Sequence, residues 1–260
     1  TLNPNSIIFS TEDNGRKEFA IRYDTVSSIK LKALEGLNVG ISNTIAVIDQ
    51  LGSCPDADGI IDTNQSWTAD LTNNGIFDCR NVPNPRGTGI VDIINGAILT
   101  LTPYQDGDTN YTDDFGITIL ANSLQVDATS KINGDLIGYP ATKGPGSNGG
   151  SYDGASYGGY NGDNNKVPYG SIYEPYLLGS GGGNDTSRGG VGGGAIKLII
   201  ENELLINGLV SANGGPGLNV GSYGGGGGSG GSIWIDTTTI NGAGIIRVNG
   251  GDGRTEYWDR

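Results

Sequence analysis

Apolar and polar residues alternate through the second half of the chain, and the alternation is written twice. From Gly192 to Gly217 a glycine run leads into Ile196-Lys197-Leu198-Ile199-Ile200-Glu201. It turns at Asn207-Gly208, resumes at Leu209-Val210-Ser211 and closes on Asn213-Gly214-Gly215. From Gly227 to Gly253 the order recurs as Ile233-Trp234-Ile235-Asp236, Asn241-Gly242, Ile245-Ile246-Arg247 and Asn249-Gly250-Gly251. Side chains of a strand point alternately to its two faces, so Ile196, Leu198 and Ile200 share one side and Lys197 and Glu201 the other. In the second copy Ile233 and Ile235 face inward, with Trp234 and Asp236 outward. Val210 and Ala212 correspond to Ile246 and Val248, and Ser211 to Arg247. A repeat of this length made of strands predicts stacked units, each covering the next. The predicted fold is therefore all-β: a parallel β-helix, or solenoid, with glycines at corners that need positive φ.

The same grammar runs more weakly upstream. Ile90-Val91-Asp92-Ile93, Ile98-Leu99-Thr100-Leu101, Ile117-Thr118-Ile119-Leu120, Leu124-Gln125-Val126 and Ile132-Asn133-Gly134 read as earlier coils. They place the β-helix at residues 86–260, interrupted by a Gly- and Tyr-rich loop at 138–193. Residues 1–85 form a β-rich N-terminal segment, with strand-like runs at Ser6-Ile7-Ile8-Phe9-Ser10, Phe19-Ala20-Ile21-Arg22-Tyr23, Ser28-Ile29-Lys30-Leu31-Lys32 and Thr44-Ile45-Ala46-Val47-Ile48. Three roles fit residues 1–53: a small β-domain, an end cap on the coils, or a strand that pairs with the next molecule of a fibre.

Composition narrows the function. The chain has 260 residues, 28 acidic against 15 basic, no His, and a net charge of −13. That balance argues against nucleic acid, whose phosphates require a basic surface. No apolar run is long enough for a membrane-spanning helix. The chain starts on Thr with no charged-then-apolar leader, which reads as a mature or excised product rather than a primary translation product. Its two cysteines, Cys54 and Cys79, are read as a disulfide, which points to an oxidising, extracellular compartment. Two free thiols in a reducing one are the alternative.

The cysteines bracket a polar insert, 54–79, with an internal echo. Asp56-Ala57-Asp58-Gly59-Ile60-Ile61-Asp62 is matched by Thr72-Asn73-Asn74-Gly75-Ile76-Phe77-Asp78. Oxygen-rich loops around a turn glycine can wrap Ca²⁺, which makes Asp56, Asp58, Asp62, Asp70, Asn74 and Asp78 candidate ligands. The other reading is an Asx-rich turn without metal. Tyr152, Tyr157, Tyr160, Tyr169, Tyr173 and Tyr176 in the Gly-rich loop could stack against sugar rings or anchor the loop to the coil wall. Trp234 lies one coil beyond Lys197, so a cation–π pair competes with ligand binding there. Absence of His removes Ser-His, Cys-His and His-metal chemistry. Paired carboxylates for sugar hydrolysis remain possible, with candidates that include Asp106, Asp108, Asp113 and Asp114, and no pair stands out by spacing.

The Gly192–Gly253 repeat resembles the glycine-rich parallel β-helix segments of bacterial and archaeal extracellular proteins, which have pectate-lyase-like architecture without the lyase site. The first acidic loop resembles the calcium loops of thrombospondin type 3 repeats. The first resemblance implies a secreted surface, adhesive or fibre-forming protein. The expected function is thus a non-enzymatic extracellular structural or adhesive module. It would self-associate, in one form as a subunit of a cell-surface filament, and present its Gly/Tyr-rich loops. The alternative is a carbohydrate-binding module or polysaccharide-degrading enzyme on the same scaffold.

Overall fold

The computed structural model describes residues 52–147, 152–161, 167–183, 188–220 and 223–254, together with four short strands nearer the N-terminus. The runs Ser6–Ser10 and Phe19–Tyr23 lie outside the described residues. The chain divides into two units, 1–50 and 51–260, so the boundary falls well before the expected 85/86. In the first unit, β1 (Ser28–Ile29) pairs antiparallel with β4 (Ile45–Ala46), and β2 (Lys32–Glu35) with β3 (Asn38–Ile41). No helix occurs among the described residues.

The second unit is built from two parallel sheets that the chain visits alternately. The first sheet holds β5 (Gly52–Ser53), β6 (Ile60–Ile61), β8 (Ile76–Asp78), β11 (Ile90–Ile93), β13 (Ile117–Val126), β15 (Ala195–Ile206) and β19 (Ser232–Asn241). The second holds β7 (Gln65–Thr68), β12 (Ile98–Thr102), β14 (Lys131–Asn133), β16 (Leu209–Ser211) and β20 (Ile245–Arg247). Each of these five later strands follows a stretch in the first sheet, and both sheets grow in the same order. Residues 52–85, expected to precede the coils, supply the first strands of both. The cause is visible in β13. Its first half pairs with β8 (Thr118 beside Ile76) and its second half with β11 (Ser123 beside Ile90), so two short strands serve where later passes use one long one. Between those short strands the chain leaves the sheet through a hairpin, β9 (Pro83–Asn84) and β10 (Gly87–Thr88). Asn122, the residue at which the register shifts, closes the gap by donating its amide to the carbonyls of Arg80 and Thr88.

The repeat read from the sequence is the observed register. Ile196 lies beside Ile233, Lys197 beside Trp234, and Val210 beside Ile246. Inward residues of both sheets form one core: Ile93, Leu99, Ile117, Ile119, Leu124, Ile132, Ile196, Leu198, Leu204 and Val210 are all buried. Removing such side chains from water stabilises the fold by roughly 1.5–3 kcal/mol each. At the turns, side-chain oxygens of one pass accept backbone N–H groups of its neighbour. Asn64 takes that of Ile98 at 2.9 Å, Asp127 that of Asn95 at 2.8 Å, and Asn213 that of Asn249 at 2.8 Å.

Glycine plays a different part from the one expected. Positive φ does occur at corners such as Gly59, Gly75 and Gly242, but not in the runs at 189–194 and 224–231. Those runs belong to a bundle of segments hydrogen-bonded to one another outside the two large sheets; Gly224 ends a hairpin of β17 (Asn219–Val220) and β18 (Tyr223–Gly224). Gly193 N–H donates to Ser229 C=O, Gly190 to Gly226, Gly228 to Gly215, Gly215 to Val191 and Gly179 to Gly193, all between 2.7 and 3.0 Å. A Cβ built on Gly190, Gly192, Gly217, Gly226, Gly228 or Gly231 would fall onto a backbone carbonyl of the adjoining segment. The demand is for absence of a side chain at close backbone approach, as at the axis of collagen. Much of the expected loop at 138–193 is therefore packed structure. Residues 138–139, 179–183 and 188–194 lie inside this bundle.

Candidate functional site

The echo at 54–79 has a structural explanation. In both copies an Asx side chain accepts a backbone N–H two residues on, a glycine follows at positive φ, and a strand starts. Asp58 Oδ1 accepts Ile60 N–H at 2.9 Å, and Asn73 Oδ1 accepts Gly75 N–H at 2.7 Å. Gly59 and Gly75 have φ of 71° and 66° and feed β6 and β8. Four of the six candidate calcium ligands, Asp56, Asp58, Asp70 and Asp78, are engaged locally. Asp56 accepts the Gln65 amide, and Asp70 caps Thr72 and Asn73. Asp78 forms an ion pair with Arg80 at 2.7 Å, a hydrogen bond that lowers its pKa while burial opposes the shift. Asn74 itself sits at positive φ, and Asp62 lies just beyond β6. Among the described residues no three of Asp56, Asp58, Asp62, Asp70 and Asp78 form a converging acidic group; the one that converges is elsewhere. Cys54 and Cys79 do form the disulfide, with Cα atoms 4.7 Å apart, joining the ends of β5 and β8.

That converging group is Asp106, Asp108 and Asp113, between β12 and β13, whose carboxylate oxygens lie within 4.8 Å of one another. All three are exposed. Asp106 accepts Asp108 N–H, Asp108 accepts Asn110 N–H, and Asp113 accepts the Asn110 amide. Those bonds account for the cluster as a string of Asx turns. Three carboxylates also supply only part of the six to eight oxygens that Ca²⁺ takes. Beside them Asp114 is buried, which raises its pKa, and Tyr139 donates a hydrogen bond to it. Tyr139 packs edge-on to Tyr111 at 4.9 Å, and its hydroxyl pKa is pushed up by burial. This trio fixes the loop to the glycine bundle.

The tyrosines of the Gly-rich section separate into two classes. Tyr157 and Tyr169 pack edge to face at 4.7 Å. Tyr169 donates its hydroxyl to Leu178 C=O at 2.6 Å and accepts from Ser180 at 2.9 Å, and burial raises its pKa. These two are anchors. Tyr152, Tyr160, Tyr173 and Tyr176 are exposed. Tyr173 is 85 % accessible and Ile172 beside it 86 %, on a loop tip where Ser171 Oγ accepts the N–H groups of Tyr173 and Glu174 at 3.1 Å. The base of that loop is held by Tyr169 N–H on Tyr157 C=O and by Ser156 Oγ on Val167 C=O. The hydrogen-bonded base thus carries an uncovered aliphatic and aromatic tip. Ile172 and Val167 drew no attention in the sequence because neither belongs to a periodic run. Their signal is the converse one, apolar residues with no core for them to enter.

Trp234 is half-buried, and the Lys197 ammonium sits 3.5 Å from its ring centroid. That face of the indole is taken. The other polar surface of note is a shallow groove on the second sheet, lined by Asn64, Gln65, Ser66, Ile98, Thr100 and Asn133. It holds no converging charged or nucleophilic set. Comparison of the chain with protein-family models, with characterised proteins and with solved structures gave no match.

Proposed function

We propose that the chain is a non-enzymatic extracellular module, structural or adhesive, built as a parallel β-helix and displaying its 167–177 loop to a polysaccharide. The regular order of the two parallel sheets and the inter-pass spacing support the helical winding. The disulfide supports an oxidising compartment, and no helix among the described residues is long and apolar enough to cross a membrane. The observation that carries the adhesive reading is the exposed Ile172-Tyr173 tip on its pinned base, with Tyr176 on the same loop. Tyrosine offers a wide flat face at small entropic cost, and sugar rings pack on such faces.

Retention on insoluble glycans (cellulose, chitin, pectin, alginate) tests this. Native protein binds at least one of them, and the double variant Tyr173→Ala/Tyr176→Ala binds about tenfold more weakly, the loss of about 1.4 kcal/mol of stacking. Unchanged retention in the variant contradicts the assignment of the loop. Release of reducing ends from any of these glycans contradicts the non-enzymatic part.

A further inference from the structure

Asn-Gly pairs recur at the turns of the stacked passes. Such a pair is chemically labile, because a glycine N–H that no Cβ shields can attack the asparagine side-chain carbonyl. The fold holds most of these pairs still. Gly75 N–H donates to Asn73 Oδ1 at 2.7 Å. Gly134 N–H donates to Ser211 C=O at 2.7 Å, Gly208 to Val126 C=O at 3.2 Å and Gly214 to Asn249 C=O at 2.8 Å. In Asn241-Gly242 the side chain is held instead, its amide donating to Glu203 at 2.6 Å. Asn95-Gly96 is held at neither group. Both residues are exposed, and among the described residues none accepts the Gly96 N–H or bonds to the Asn95 side chain. A Cβ on Gly96 would meet nothing within 4 Å. The pair forms a tight turn between β11 and β12, with φ of 59° and 78°, closed by Ala97 N–H on Ile94 C=O at 3.1 Å.

We infer that Asn95 is a site of spontaneous modification in the folded protein, converting to aspartate and isoaspartate. Positive φ at the first central residue is common to type I′ and type II′ turns, which differ in the way the middle peptide faces. Here that peptide turns over without losing a hydrogen bond, and the rotation carries the Gly96 nitrogen round to Asn95 Cγ. The nitrogen bonds to Cγ, the Cγ–Nδ2 bond breaks, and the Gly96 proton leaves with the amide nitrogen as ammonia. Water then opens the resulting succinimide at either carbonyl. Asn249-Gly250 is also unheld at both groups, but Asn249 is not at positive φ, so the same rotation does not serve it. The turn at Asn95 matters to the stack on both sides. Asn95 N–H donates to Asp127 Oδ2 at 2.8 Å, and the buried Ala97 accepts Lys131 N–H at 3.0 Å. Either product places a second carboxylate beside Asp127, and isoaspartate also lengthens the backbone between β11 and β12 by one methylene. The core therefore loosens with age at this turn. The inference rests on the geometry of the turn and not on the adhesive reading.

Peptide mapping by mass spectrometry tests this on the full chain aged in mildly alkaline buffer, beside a sample aged in denaturant, where every Asn-Gly pair is free. In the native sample Asn95 is expected to convert about tenfold or more faster than Asn133, Asn207 and Asn213, and in denaturant all four at similar rates. The isoaspartyl form, separated by charge, is expected to melt below the Asn95→Asp variant, which carries the added charge without the extra methylene. An Asn95 that stays intact in the native sample, or converts no faster there than the other three, overturns the inference. So does the same order of rates in denaturant, which assigns the difference to neighbouring sequence rather than to the fold. An isoaspartyl form as stable as Asn95→Asp overturns the loosening of the core.

Discussion

Asp135 joins two passes of the chain through one carboxylate. It accepts Lys131 Nζ at 2.5 Å, Ser211 Oγ at 2.9 Å, and both the backbone N–H and side-chain amide of Asn213. Burial works against the charge, yet these donors outweigh it and lower the pKa. Asp135→Ala leaves the buried Ser211 hydroxyl and a backbone N–H without their acceptor, and the expected cost is about 2–3 kcal/mol in chemical denaturation. A loss under about 0.5 kcal/mol contradicts this role. Asp127 shows the same device at the surface. Its slight burial raises the pKa, but hydrogen bonds from the N–H and hydroxyl of Thr129 and from the N–H of Asn95 bring it to about 2, from an ordinary 3.8. A carboxylate whose folded pKa is depressed contributes stability above its unfolded value and loses it as pH falls through the folded one. The melting temperature therefore declines between about pH 4 and pH 2, and Asp127→Asn removes part of that decline without abolishing it. These roles were not legible in the sequence, because an Asp in a turn looks alike whether it caps its own loop or the neighbouring pass. The Lys197–Trp234 contact was legible, since the register alone places the two side chains side by side.

The glycine segments carry a sharp prediction at the level of the element. Gly192→Ala drives a methyl group onto the Gly179 carbonyl, and Gly228→Ala drives one onto that of Val191. Each is expected to cost about 3 kcal/mol, since neighbouring backbone cannot yield without breaking hydrogen bonds. Gly159→Ala, with open space around it, is expected to stay within about 0.5 kcal/mol of the native protein. Equal effects at the three positions, measured by thermal unfolding, contradict the bundle. Glycine was visible in the sequence as a feature but its reason was not. Corner glycines and close-approach glycines are spelled alike, and only the segments that pass within reach distinguish them. Strands β15, β16, β19 and β20 were plain because each is long or repeated. Strands β5–β8 were hidden, being two to four residues each and interrupted by Asx turns. The Asp-Gly turn at Gly59 and the Asn-Gly turn at Gly75 point toward calcium because the same residues serve both purposes.

For the whole second unit, the disulfide ties the first strands of the stack together. Cys54 and Cys79 are 25 residues apart, and a cross-link over that span stabilises by roughly 3 kcal/mol, mainly by restricting the unfolded chain. Cys54→Ser/Cys79→Ser is expected to lower the denaturant midpoint accordingly while leaving glycan retention unchanged, because the aromatic loop sits on later passes. The division at residues 50 and 51 could not be seen from composition, since both sides of it read as short apolar strands. The central claim concerns the registry of successive passes, and methyl–methyl nuclear Overhauser contacts in isoleucine-labelled protein test it most directly. Adjacent parallel strands are about 4.8 Å apart. The account predicts cross-peaks linking Ile117 to Ile196 and Ile196 to Ile233. An assigned spectrum in which Ile196 contacts neither contradicts the stacked core and everything built on it.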